Sequence, residues 1–284
     1  MRTATTETSR LRDFRKCLTR KIPRFPNNKA SLQMLEAKSL PALLVDYGNW
    51  AIRYIAPRPR EVFVERTAVN DRRWSSLEAD IRALLRKVKS GDDITPHLSH
   101  VQHTRGFTPA ASSQGPGADR WADKDRVLNS MGYHHLHLDA APTKDMRSDD
   151  MVFAHVTRFA FTVVGIFDHS VFETSAMTAE SQRLWEIFNE RTTRGAPPGA
   201  LVFPPPIAGS GHPVQLRMIA ASYARTVFAV DPKLDDKSYV NGLYAQAGVP
   251  VSAQPQMRWR MHYMDLCLVD KSETCVFVLR AGPN

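Results

Sequence analysis

The chain has 284 residues, 43% hydrophobic and 24% charged, enough apolar residues for one large core or two modest ones. No run approaches 18 apolar residues and the first 30 positions are polar and basic, which argues against a membrane span or a signal peptide and for the cytoplasm. A formal net charge of +9 favours polyanionic partners, nucleic acid foremost, while Cys17, Cys267 and Cys275 lack CxxC spacing, which argues for a reducing compartment and against a structural zinc knuckle.

In chain order, residues 1–40 read as a basic N-terminal leader, solvated and partly frayed, with one short helix over 11–18. Residues 41–47 and 50–55 read as strands of a hairpin turning at Gly48-Asn49, and 61–65 as a further short strand. The clearest helix is 74–89. There Trp74, Leu77, Ile81, Leu84, Leu85 and Val88 recur at helical spacing, Ser75 with Glu78 makes a capping box, and Gly91 is the stop. Its other face carries Arg82, Arg86, Lys87 and Lys89, suited to solvent or to a phosphate backbone. Residues 92–119 lose periodicity and read as loop, with His97, His100 and His103 first and a low-complexity insertion over 104–119.

Three apolar runs, 133–138, 151–156 and 161–167, have the length and the Val, Phe and Tyr content of consecutive strands in one sheet. A helix follows at 178–192, with Leu184, Trp185, Ile187 and Phe188 on its buried side, then a Pro/Gly-rich loop over 195–213. Residues 216–228 and 237–247 read as helices, and 259–269 with 274–280 as a closing antiparallel pair. Helices and strands segregate, so the expected class is α+β.

Histidine sets the three central strands apart. His134, His135 and His137 lie on the first, His155 on the second, and His169 at the end of the third. Alternation puts His135 and His137 on one face, with His134 and Leu136 on the other. Neighbouring strands place same-face residues about 5 Å apart, close enough for side chains to converge on one site. With Asp149, Asp150, Arg147 and Arg158 nearby in sequence, the set can move protons beside a phosphodiester. Metal-free RNA cleavage requires a base for the 2′-hydroxyl, an acid for the leaving 5′-oxygen and a cation for the developing charge.

The order of a histidine-bearing loop, then GYHHLH (132–137), an apolar strand opening at Asp150 and one ending in His169-Ser170-Val171-Phe172 resembles the RelE/YafQ group of bacterial toxins. The resemblance covers about 74–173. It implies a RelE-like twisted antiparallel sheet with flanking helices, extended at both termini: a leader over 1–40, a core over 41–175 and a C-terminal extension over 176–284. It also implies an endoribonuclease toxin that cuts RNA, on the ribosome in that family, without a metal or other cofactor. An antitoxin protein would be a partner. By the same resemblance His137, or His135, is the base and His169 the acid, Asp150 orients a histidine, and His97 or His100 is the loop histidine. Arg147, Arg158, Arg82, Arg86 and Lys87 would contact RNA, and Phe172 would stack on a base. Two rivals stand beside this reading. His135-x-His137 with Asp150 and His169 could ligate zinc or manganese for a metal-dependent hydrolase. A non-catalytic module could bind nucleic acid or a protein, using the same charges with Trp50, Tyr54, Trp74 and Trp121.

Overall fold

The computed structural model describes residues 7–109, 122–139, 149–271 and 275–284. In order it contains α1 (Ser9–Lys21), α2 (Lys29–Glu36), α3 (Leu40–Ala51), β1 (Glu61–Val64), α4 (Arg66–Val69), α5 (Trp74–Ser90), α6 (Arg126–Met131), β2 (Tyr133–His137), β3 (Met151–Val156), β4 (Ala160–Phe167), α7 (Ala179–Thr193), α8 (Val214–Val230), α9 (Lys237–Ala247), β5 (Met257–His262), β6 (Asp265–Asp270) and β7 (Val276–Arg280). The class is α+β, as expected. Two units divide the chain: Met1–Ile52 with His103–Asp123 and Gln215–Pro283, and Arg53–Gln102 with Lys124–Val214 and Asn284. This division differs from the expected leader, core and extension, because the two chain ends share one hydrophobic core. Most of the expected 104–119 insertion, with Trp121 and Arg147, lies outside the described residues.

In the first unit, helices surround the antiparallel sheet β5-β6-β7. Far from being a frayed leader, α1 is capped by Thr8, whose hydroxyl accepts from the Leu11 N–H at 3.2 Å, and it buries Phe14 and Leu18. Residues 41–51 form helix α3 instead of the expected hairpin. Leu40, Leu43, Leu44, Tyr47 and Ala51 recur at helical spacing and are all buried, and Pro41 sits in the first turn, where its missing N–H costs nothing. Gly48 is no turn residue. A Cβ there would come within 2.6 Å of Leu216 Cδ1, so glycine permits the close approach of α3 and α8. The expected strand over 259–269 is also split. It turns back at Tyr263, whose φ of 49° is left-handed, and the Tyr47 hydroxyl donates to the Tyr263 carbonyl at 3.0 Å.

In the second unit the sheet order is β1-β4-β3-β2, with β2, β3 and β4 an antiparallel meander and β1 parallel to β4. The sheet is therefore mixed, which corrects the expected fully antiparallel one. A parallel neighbour needs a long crossover, and the segment between β1 and β2 supplies it. One face packs Leu136, Val152, Phe161, Val163 and Ile166 on Ile81, Leu84 and Val88 of α5. The other packs Met151, Phe153, Val164 and Phe167 on Leu184, Ile187 and Phe188 of α7. Each fully buried side chain of this kind contributes roughly 1.5–3 kcal/mol.

Helix α5 ends at Gly91, whose φ is 83°. It starts at Trp74 with Arg73 as N-cap, which leaves Ser75 inside the helix, so the expected capping box does not form. Trp185, expected on the buried side of α7, is 40% exposed. Among the described residues no helix is long and apolar enough to cross a membrane.

Candidate functional site

At one end of the second unit's sheet, His137 pairs with Met151 and Met151 with Phe167. Two residues beyond Phe167, His169 opens a short 3-10 turn, His169–Phe172. Asp168 caps that turn, accepting from the Ser170 N–H at 2.9 Å and the Ser170 hydroxyl at 2.5 Å. Those bonds, the hydroxyl's first, hold the Asp168 carboxyl below the usual carboxylate range. Two residues before Met151 stands Asp149. The sheet register thus brings three separate segments to one spot.

His169 Nδ1–H donates to Asp149 Oδ1 at 2.5 Å. The His137 ring lies 5.6 Å from the His169 ring, centroid to centroid, with the planes 31° apart. The pair is graded from solvent inward: the His169 side chain is 42% exposed and His137 only 6%. Along β2, His135 shares the face of His137. Its ring is 4.9 Å from Phe172 and 6.0 Å from Phe153, and its Nδ1 is 3.6 Å from Asp125 Oδ2. The other oxygen of Asp125 caps α6 through the Leu128 N–H at 2.9 Å. Half-buried Phe172 also packs on Phe153 and lies 6.3 Å from His169.

Behind this front sits a polar network that sequence reasoning missed. Arg73 donates to both oxygens of Asp71 at 2.9 Å, to the Ile166 carbonyl at 2.7 Å and to Glu180 at 3.2 Å. It also reaches Asp150 at 3.4 Å and Asp168 at 3.8 Å. Arg183 joins through Asp71 at 2.7 Å and Glu180 at 2.8 Å. Asp150, expected to orient a histidine, therefore faces Arg73, and Asp149 holds the histidine in its place. His97 is buried behind the end of β2. A carbonyl can only accept, so His97 Nδ1–H donates to the His137 carbonyl at 2.8 Å, and Nε2 accepts from Lys87 Nζ at 3.1 Å. His97 thus positions His137 through its backbone.

Of the remaining expected site residues, the described ones lie on other elements. His100 is exposed on a separate 3-10 turn. Arg158 lies in the β3–β4 turn at the other end of the hairpin, roughly 20 Å along the strand. Arg82 pairs with Glu78 at 2.6 Å, and Arg86 is exposed on α5. Arg147 lies outside the described residues. Among the described residues no group of three or more His, Cys, Asp or Glu side chains is arranged to hold a metal ion. Of the four expected ligands, Asp150 pairs with Arg73 and His169 with Asp149.

Deeper on the same face, His155 packs edge-on against Tyr133 at 6.4 Å. Burial, with the charge of Arg191 adding to it, holds the His155 pKa below the ordinary histidine value. The unfolded chain then takes up a proton at higher pH than the fold does. The stability linked to His155 is complete above about pH 6.5 and declines as pH falls toward the folded value. A His155→Gln variant is expected to lose less stability than wild type between pH 8 and pH 5 in urea unfolding. Equal losses would show that titration elsewhere governs.

No family model, curated protein or solved structure matches the chain.

Proposed function

We propose that this chain is an endoribonuclease that cleaves RNA by metal-independent acid/base catalysis, a toxin-like activity of the kind the RelE/YafQ resemblance implies. The observation that carries this reading is the His169–Asp149 hydrogen bond of 2.5 Å beside the His137 ring. Two imidazoles at this separation suit complementary proton roles, because a second proton on the pair would meet the charge of the first. His137 accepts the 2′-hydroxyl proton, the 2′-oxygen bonds to phosphorus, and the bond from phosphorus to the 5′-oxygen breaks. His169 gives its Nε2 proton to that leaving oxygen, while Asp149 holds Nδ1–H and stabilises the imidazolium form. The products are a 2′,3′-cyclic phosphate and a 5′-hydroxyl.

In this scheme His135 stands behind His137 as the alternative base, and the exposed edge of Phe172 offers a base contact. Arg147, two residues before Asp149 in sequence, is the cation assigned to phosphate. The setting is cytoplasmic, within a toxin–antitoxin or phage-defence system. Support comes from the placement of the histidines on the antiparallel meander β2-β3-β4, with α5 preceding it in the chain.

The test is to incubate purified protein with end-labelled RNA, with and without EDTA, and to identify the new termini. Cleavage unaffected by EDTA, leaving 2′,3′-cyclic phosphate, is expected. Cleavage that requires a divalent ion would transfer the site to the metal-dependent alternative. RNA binding without turnover would leave the non-catalytic module.

A further inference from the structure

The first unit contains a groove of about 1320 Å³ lined by α1, the start of α9 and β5. Such a volume exceeds the 300–1,000 Å³ typical of small-molecule sites. Its walls are basic. Lys16 and Arg20 stand one helical turn apart on α1, and Arg258 and Arg260 share the outward face of β5 while Met257, Trp259 and Met261 point into the core. Lys237 adds a fifth, and two further cations line the groove with partners of their own: Arg10 on Asp231 and Asp235, and Lys21 on the Met261 carbonyl. Two carboxylates line the same groove, but Asp235 is already paired with Arg10 at 2.7 Å, leaving Asp13 against the five. Among the described residues none of the five forms an ion pair.

The floor gives further direction. Trp259, the large aromatic at the groove, is 1% exposed, and its indole N–H donates to Asp231 at 2.8 Å, so it presents no face for a base. A groove with unpaired cations on both walls and no exposed ring recognises a phosphate backbone and not base identity. We infer that this groove binds the sugar–phosphate backbone of nucleic acid without sequence preference. The inference is independent of the cleavage reading, because it rests on a different unit and on no histidine.

Five backbone contacts at about 0.7 released counterions each give a slope near −3.5 for log Kobs against log salt. The experiment uses the full chain and a labelled 20-nucleotide 2′-O-methyl oligouridine, which lacks the 2′-hydroxyl and cannot be cut by the proposed chemistry. Binding is followed by anisotropy from 0.05 to 1 M salt. Arg258→Gln/Arg260→Gln is expected to flatten the slope by about 1.4, which weakens binding about 25-fold at 0.1 M if the curves meet at 1 M. The control is Arg217→Gln/Arg225→Gln, which removes the same charge from exposed positions of α8 outside the groove. It should bind within about twofold of wild type, and thermal melts confirm that both variants fold. Equal weakening by the two variants would mean diffuse attraction to a basic protein and would overturn the site. Polyglutamate competing as well as unlabelled oligonucleotide of equal charge would overturn the choice of occupant in favour of an acidic polypeptide. Loss of cleavage in His169→Ala with oligonucleotide binding intact would leave the groove standing.

Discussion

His169→Ala is expected to lower RNA cleavage by about 10²–10⁴-fold while leaving the fold and RNA affinity near wild type. The His169 side chain is 42% exposed and its polar anchor is Asp149, itself 72% exposed, so truncation removes a proton donor and little packing. Asp149→Asn should cost less, about 10²-fold. The amide keeps the ring in place but supplies no negative charge to the imidazolium. Added imidazole restoring part of the activity of His169→Gly would separate proton transfer from a structural role. Wild-type cleavage in His169→Ala would remove His169 from the mechanism and, with it, the carrying observation. His137→Ala is the less clean test, because a residue only 6% exposed also packs the sheet end.

The strands that hold this site were legible because each is a short apolar run with β-branched and aromatic content. Met151–Val156 is found at the expected bounds, and β2 and β4 lie within one residue of theirs. Helices α5, α7, α8 and α9 were legible from helical spacing. Helix α3 was not, since Gly48-Asn49 imitates a hairpin turn and only packing against Leu216 gives that glycine its meaning. Pairing β1 beside β4 is equally nonlocal, and no residue of Glu61–Val64 announces its partner. At the site, the histidines were visible but the choice between two adjacent carboxylates was missed. Alternation along β3 gives Asp149 the parity of Met151 and Phe153, on the His137 face, and Asp150 that of Val152, on the α5 face. That signal was available. The Arg73 network had none, because its partners come from positions 71, 150, 168, 180 and 183.

Removing the Arg73 charge with Arg73→Met is expected to destabilise the protein by about 3 kcal/mol at pH 7, near the lower end for breaking a buried ion pair from one side. Its side chain is 13% exposed and that of Asp71 3%, so the carboxylate cannot recover its hydration when the cation is lost. Arg183 stays on Asp71 at 2.7 Å and keeps the loss from being larger. Burial raises the Asp71 pKa, but the Arg73 hydrogen bonds and the Arg183 charge outweigh it, and the pKa lies below the usual carboxylate range. A depressed carboxyl pKa contributes stability that is present above the unfolded value near 3.9 and lost as pH falls through the folded one. The gap between wild type and Arg73→Met should therefore be widest at neutral pH and narrow below about pH 4. Urea unfolding at pH 7 and pH 3.5 measures it, and a cycle with Asp71→Asn isolates the pair. A gap that does not change with pH would assign the loss to packing of the arginine stem. The same network grips Asp150 beside Asp149 and Asp168 beside His169, so the activity of Arg73→Met should fall even under conditions where the protein remains folded. One largely buried guanidinium thus sets both Asp149 and His169 through their neighbours and touches neither.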